Sequence, residues 1–303
     1  MGHEKFNQIN MKAFIFSILV CWAAVAHAQI RYGSNPAVGK RIQVGDISMY
    51  YEAYGKGEPL ILLHGGYGSI ETMGGMIAAF SKKYQVFAVD SRSQGRTTDS
   101  DAKELTYAQM ALDVNGLMDL LQIKKAKFVG WSDGGDIALE LALIHPEKMD
   151  KAVIMGANFL GESKGVALTM DTTWKMNSTD PLFAKTRKPL AQYFSTYERL
   201  APDKTKIAAS KKKVADNAFN NPNISLVQLN SIQVPFLVMA GDHDMFTIDH
   251  TITLYKNLPR ASLYIVPDAT HISPFEEPEL VHSEILRYLG KKYRRLDALY
   301  FWR

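Results

Sequence analysis

The run Lys127-Phe128-Val129-Gly130-Trp131-Ser132-Asp133-Gly134-Gly135-Asp136-Ile137-Ala138-Leu139 leaves the backbone few choices. A short β-prone segment enters Gly130-Trp131-Ser132-Asp133-Gly134, and an apolar, helix-prone segment leaves it. A strand passing into a helix across so tight a turn holds the serine backbone in a strained conformation. Gly130 and Gly134 carry no Cβ, so strand and helix can come close enough to make that turn. G-x-S-x-G alone is a common pentapeptide. Between a strand and a helix it raises the serine hydroxyl above a sheet edge, over a helix N-terminus.

The flanking sequence supplies the sheet. Arg41–Val44 and Ile47–Tyr54 read as a hairpin around Gly45-Asp46. Pro59–Leu63, Tyr84–Asp90, Lys127–Trp131 and Ala152–Met155 are apolar runs, as expected of strands covered on both faces. Helical spacing separates them at Ile70–Lys82, Tyr107–Leu121 and from Asp133 to His145, where Pro146 stops the helix. Such alternation predicts an α/β fold, a mostly parallel sheet with helices on both faces. Residues 160–232 break the rhythm with helical patches and polar turns, and read as a helical cap. Strands at Pro235–Ala240 and Ser262–Val266 and helices at Ile248–Leu258 and Pro278–Tyr293 complete the pattern. The core domain is then 29–159 with 233–303.

Met11-Lys12, the apolar Ala13–Val25 and Ala26-His27-Ala28 have the layout of a secretory signal peptide, assigned to residues 1–28, with the mature chain starting near Gln29. An uncleaved N-terminal anchor is the second reading. The apolar run is short for a membrane span, so the mature protein is expected to be secreted or periplasmic, with no membrane partner. The single cysteine, Cys21, falls inside this segment, which removes disulfides and thiol chemistry from the mature chain. A net charge of +4 over 303 residues, with lysines scattered apart from Lys211-Lys212-Lys213 and Lys291-Lys292-Tyr293-Arg294-Arg295, runs that read as solvated helix faces, gives no nucleic-acid footprint. His243, His250 and His271 lack a metal-ligand spacing, and Gly65-Gly66-Tyr67-Gly68 lacks the Lys-Ser/Thr of a phosphate loop. No metal and no cofactor are expected.

Two further stretches match the serine turn. Gly241-Asp242-His243-Asp244 and Asp268-Ala269-Thr270-His271 follow the last two strands, so both emerge at the same sheet edge as Ser132. Singly, Ser132 reads as a turn residue, Asp244 as a helix N-cap and His271 as a surface histidine. Together, in the order Ser, Asp, His, they form a nucleophile, an orienting acid and a base. Asp244 reaches toward His271 better than Asp242, which suits turn hydrogen bonds. An acyl oxyanion needs two N–H donors, here Asp133 and Gly66. His64 reads as a brace for that loop, with a second catalytic histidine as the minor reading.

The chain resembles the α/β-hydrolase fold serine hydrolases from about Arg41 to Tyr288. The residues that carry the likeness are His64-Gly65-Gly66, Asp90–Arg96, Gly130–Gly135, Gly241–Asp244 and His271 with Glu276-Glu277-Pro278. Ser93 and Thr270 stand where glycine is common in that group. Gly130–Gly135, Gly156-Ala157-Asn158 and Thr186-Arg187-Lys188-Pro189-Leu190 are similar to the valacyclovir hydrolase (biphenyl hydrolase-like) branch. That resemblance implies a small α-amino acid ester as substrate, with Asp133 recognising its amine. Asp133 also suits a helix N-terminus, or a pairing with Arg92. Trp131, Asn158 and Trp174 are candidates to line the substrate pocket, and suit core packing equally. Aspartate at position 132 would suggest an epoxide hydrolase or dehalogenase; serine argues against both. C–C bond hydrolase, lactonase and perhydrolase chemistry share the same three residues. An inactive binding protein of this fold is the non-enzyme alternative.

Overall fold

A computed structural model describes residues 30–161, 193 and 195–294. Eight strands form one sheet: β1 Gly39–Val44, β2 Ile47–Tyr54, β3 Pro59–Leu63, β4 Gln85–Val89, β5 Ala126–Trp131, β6 Met149–Met155, β7 Phe236–His243 and β8 Ala261–Thr270. Their order is β1-β2-β4-β3-β5-β6-β7-β8. The β1–β2 and β2–β4 pairs are antiparallel, and every later pair is parallel.

Period-two alternation divides the core. Ile61, Leu63, Phe128 and Ile154 face the helices Tyr107–Leu120, Asp133–Ile144 and Ile248–Asn257. Leu60, Leu62, Val129 and Val153 face Gly74–Phe80 and Pro278–Gly290 on the other side. Both faces are covered, which is why these strands read as continuous apolar runs. Among the described residues no helix is long and apolar enough to cross a membrane.

The element edges differ from the sequence reading in ways the residues explain. The stretch from Ile70 is a 3-10 turn, Ile70–Met73, and then a helix, Gly74–Phe80, because Gly74-Gly75 is a weak helix former at its centre. Strand β6 begins at Met149; Asp150 and Lys151 hide its start from a hydrophobicity pattern. Strands β7 and β8 run on through Asp242 and Asp268, pairing as far as His243 with Thr270 across a register shift. The Asp242 carboxylate accepts the N–H groups of Asp268 and Ala269, both at 3.1 Å, so an acid that reads as loop stitches the strands together. Within 160–232, the described part from 195 is helical, with helices at Ile207–Asn220 and Leu226–Ser231. Residues 1–28, Trp174 and Thr186–Leu190 lie outside the described residues.

Candidate active site

Strand β5 is buried along its whole length and ends at Trp131. Ser132 then takes φ 53° and ψ −124°, a region costly for a side chain, before the helix Asp133–Ile144 begins. A Cβ on Gly130 would collide with the Gly134 carbonyl, and one on Gly134 with that of Leu63. Only glycine at both positions allows the crossing. The Ser132 N–H donates to Met155 O at 2.8 Å, fixing the turn to β6.

The residues expected to act together meet. His271 Nε2 lies 3.0 Å from Ser132 Oγ, and Nδ1 lies 2.8 Å from Asp244 Oδ1. In the tautomer this arrangement requires, Nδ1–H donates to Asp244 and Nε2 accepts the serine hydroxyl. Asp244 is buried and also accepts the Phe246 N–H at 3.2 Å. Asp242 is the strand stitch described above and lies apart from this chain. Thr270 is held through its N–H and hydroxyl by Glu276 at 2.8 and 2.9 Å.

The loop after β3 is set by His64. Its ring bonds the Gly65 carbonyl at 2.8 Å through Nδ1 and accepts the Ser91 N–H at 3.0 Å through Nε2. Burial pulls its pKa down to about 4, so the ring is neutral and carries its proton on Nδ1. Gly68 N–H also donates to Gly65 O, at 3.0 Å. With that carbonyl held on one side, the Gly66 N–H of the same planar peptide points the opposite way. The next carbonyl, Gly66 O, accepts the Tyr193 hydroxyl at 2.7 Å.

Two expected pocket residues have other duties. Trp131 is buried, edge-on to Tyr193 and Phe275, and its indole N–H donates to His271 O at 2.8 Å. It braces the histidine backbone. Asn158 bonds the Leu160 N–H at 3.0 Å and the Leu160 carbonyl, so its amide closes a local turn. Asp136 accepts the Asn158 N–H at 2.6 Å; burial, aided by the Asp133 charge, holds its carboxyl well above the ordinary carboxylate range. Gly156 stands out only within the Gly156-Ala157-Asn158 likeness, with no role of its own. It sits at φ +55°, and a Cβ there would lie 2.7 Å from the His271 ring and 3.2 Å from Asp244 Oδ2. Gly156→Ala is expected to displace the imidazole and lower kcat by ~10²-fold with KM little changed. Steady-state kinetics on a chromogenic ester checks this.

Asp133 is buried against Gly66, and one carboxylate oxygen has no hydrogen-bond partner among the described residues. Burial pushes its pKa up to about 6, against the opposing pull of the Tyr107 hydroxyl, the His271 ring and the N–H groups of Asp133 and Gly66. Arg92 is not its partner. That guanidinium grips Asp113 with two bonds, at 2.7 and 2.6 Å, and reaches Asp46 at 2.8 Å. Among the described residues no lysine or arginine pairs with Asp133.

Comparison with known proteins agrees with the fold. Residues 58–207 match the family model described as alpha/beta hydrolase fold. A 2-hydroxy-6-oxononadienedioate/2-hydroxy-6-oxononatrienedioate hydrolase of Comamonas testosteroni is 28% identical, over 78% of this chain and 89% of its own. Serine hydrolase BPHL of Homo sapiens is also 28% identical, over 76% of this chain and 79% of its own. The solved meta-cleavage product hydrolase of Pseudomonas fluorescens IP01 superposes with a TM-score of 0.67 at 22% identity, covering 84% of this chain and 99% of that one. Strand order, serine turn and sequence likeness together make the chain an α/β-hydrolase, a serine hydrolase related to BPHL.

Proposed function

We propose that the chain hydrolyses small carboxylic esters bearing a free α-amine, through an acyl-Ser132 intermediate. In this reading His271 takes the Ser132 proton as the hydroxyl attacks the ester carbonyl. The oxyanion then forms against the N–H groups of Asp133 and Gly66. His271 returns the proton to the leaving alcohol, and water repeats the sequence on the acyl-serine. Asp244 holds the imidazole in its working tautomer and stabilises the imidazolium.

The observation that carries the amine is Asp133, a buried carboxylate beside the nucleophile with no lysine or arginine among the described residues to balance it. Two like charges about 4 Å apart repel by about 4 kcal/mol at an effective dielectric of 20. A developing oxyanion would meet that repulsion unless the substrate brought a positive charge. An ammonium on the α-carbon does so and fixes the acyl group at the same time.

Carbon–carbon bond hydrolysis is the second reading, favoured by the relative from Comamonas testosteroni. Its dioate substrate is anionic, and beside Asp133 it would be repelled unless a cation intervened.

The test compares a phenylalanine alkyl ester with its N-acetyl form, using protein from Gln29 onward and Ser132→Ala as the blank. The free amine is expected to react faster. The ratio of kcat/KM for the two esters should also fall as pH drops through about 6, because protonation removes the Asp133 charge. The amine keeps its proton over about pH 5 to 7, and taking the ratio removes whatever the two esters share. A flat ratio, or faster hydrolysis of the acetylated ester, would leave a serine hydrolase of some other acyl group. We place the mature enzyme outside the cytoplasm on the strength of residues 1–28 alone; an N-terminus at Gln29 in the exported protein is the corresponding check.

A further inference from the structure

The edge of the sheet opposite Ser132, where the parallel strands begin, carries a second concentration of charge. A cavity of about 630 Å³ opens there, between the starts of β4 to β8 and the end of the helix Pro278–Gly290. Its walls carry Lys83, Lys125, Lys127, Lys151, Arg260 and the Lys291-Lys292 pair against two acids, Glu58 and Asp150. Lys127 engages both acids, at 3.2 and 2.7 Å, and the cations on the wall outnumber them.

Lys151 is the unusual member. It is only 7% exposed, yet no carboxylate among the described residues lies within ion-pair distance of its ammonium. Its contacts are the carbonyls of Lys291 and Tyr288, the latter at 3.5 Å, and the face of the Tyr288 ring. Burial pulls its pKa below the ordinary lysine value; the Asp150 and Glu58 charges oppose this and the Lys127 charge adds to it. A second, independent feature is Tyr84. It lines the same cavity, is 2% exposed, and its hydroxyl has no hydrogen-bond partner. The charges nearest that hydroxyl, Lys127, Glu58 and Asp150, stand on the same cavity wall.

A buried ammonium without a counter-ion and a buried hydroxyl without an acceptor are both unfavourable, and one ligand would relieve both. It must be multiply anionic, rich in acceptors, and small enough to enter. We propose that this cavity binds a phosphate monoester or pyrophosphate, with Lys127 and Lys151 on its charge and the Tyr84 hydroxyl donating to one of its oxygens. Met149, Pro146 and Leu289 on the same wall leave an apolar surface for the organic part of an ester. The site lies at the other edge of the sheet from Ser132, so it is occupied independently of ester turnover and stands whether or not Asp133 binds an amine.

The test is calorimetric titration of the full mature chain with inorganic pyrophosphate and with glycerol 3-phosphate, in ~100 mM NaCl to suppress diffuse charge effects. One-to-one saturation is expected, with affinity about tenfold weaker in Lys151→Met and several-fold weaker in Tyr84→Phe. Ester hydrolysis should be the same in all three proteins. Without the anion, Lys151→Met should melt no lower than the parent, because it removes an unbalanced buried cation. If that variant fails to fold, Tyr84→Phe decides. Binding of phosphatidic acid vesicles that is lost in these variants would identify a lipid headgroup as the source of the phosphate; binding of glycerol 3-phosphate alone would identify a free ester. No saturation, equal affinity in parent and variants, or equal binding of acetate would overturn the site.

Discussion

Ser132→Ala is expected to lower kcat on any ester by ~10⁴-fold or more while leaving the fold intact. Among the described residues the hydroxyl makes one hydrogen bond, to His271 Nε2 at 3.0 Å, and no bond that supports the sheet. His271→Ala should cost about as much, and the double variant little beyond either single one, because the two side chains act as a unit. Asp244→Asn should lower kcat comparably by offering the ring Nδ1 an amide in place of a carboxylate. Ser132→Gly should lose the same activity yet raise the melting temperature by about 2 °C. It releases ~1 kcal/mol of the strain held at φ 53°. Burst kinetics on an activated ester and thermal melts measure all five variants. Activity above about one per cent in Ser132→Ala would remove the acyl-serine from the reaction.

Asp133→Ala should act on selectivity where Ser132→Ala acts on everything. Removing one partner of a buried charge pair costs about 3 kcal/mol, so kcat/KM for the free-amine ester should fall by ~10²-fold. The N-acetyl ester should lose nothing, and could gain, since the carboxylate beside its oxyanion is gone. Asp133→Asn keeps the shape and the neighbours and should share the loss, separating charge from packing. If both esters fall together in both variants, Asp133 is a support for the helix end and the oxyanion loop.

How much of this was legible in the sequence depends on how local each signal is. The serine turn could be read because Gly130, Ser132 and Gly134 lie within one pentapeptide, and each is needed by its neighbours. Asp244 and His271 could be read because strand ends in a parallel sheet share an edge. Trp131 could not, because its partner is a backbone carbonyl 140 residues away. Nothing in its neighbourhood separates a pocket wall from a brace. Asn158 reads as pocket lining or packing; its amide makes local turn bonds, which neither reading names. Arg92 was an open partner for Asp133 until helix Tyr107–Leu120 supplied Asp113 and the β1–β2 turn supplied Asp46. Gly156 is one more glycine after a strand until His271 is placed beside it.

The hydrogen bond between Ser132 and His271 spans 139 residues of chain, and both depend on strands in the parallel half of the sheet. Loops of that length close late and against entropy, and parallel pairing is among the slower steps of folding. After dilution from denaturant, helical signal should therefore return well before turnover does. Hydrolytic turnover would then serve as a clock for the docking of β7 and β8 onto β6, and report the last step of refolding.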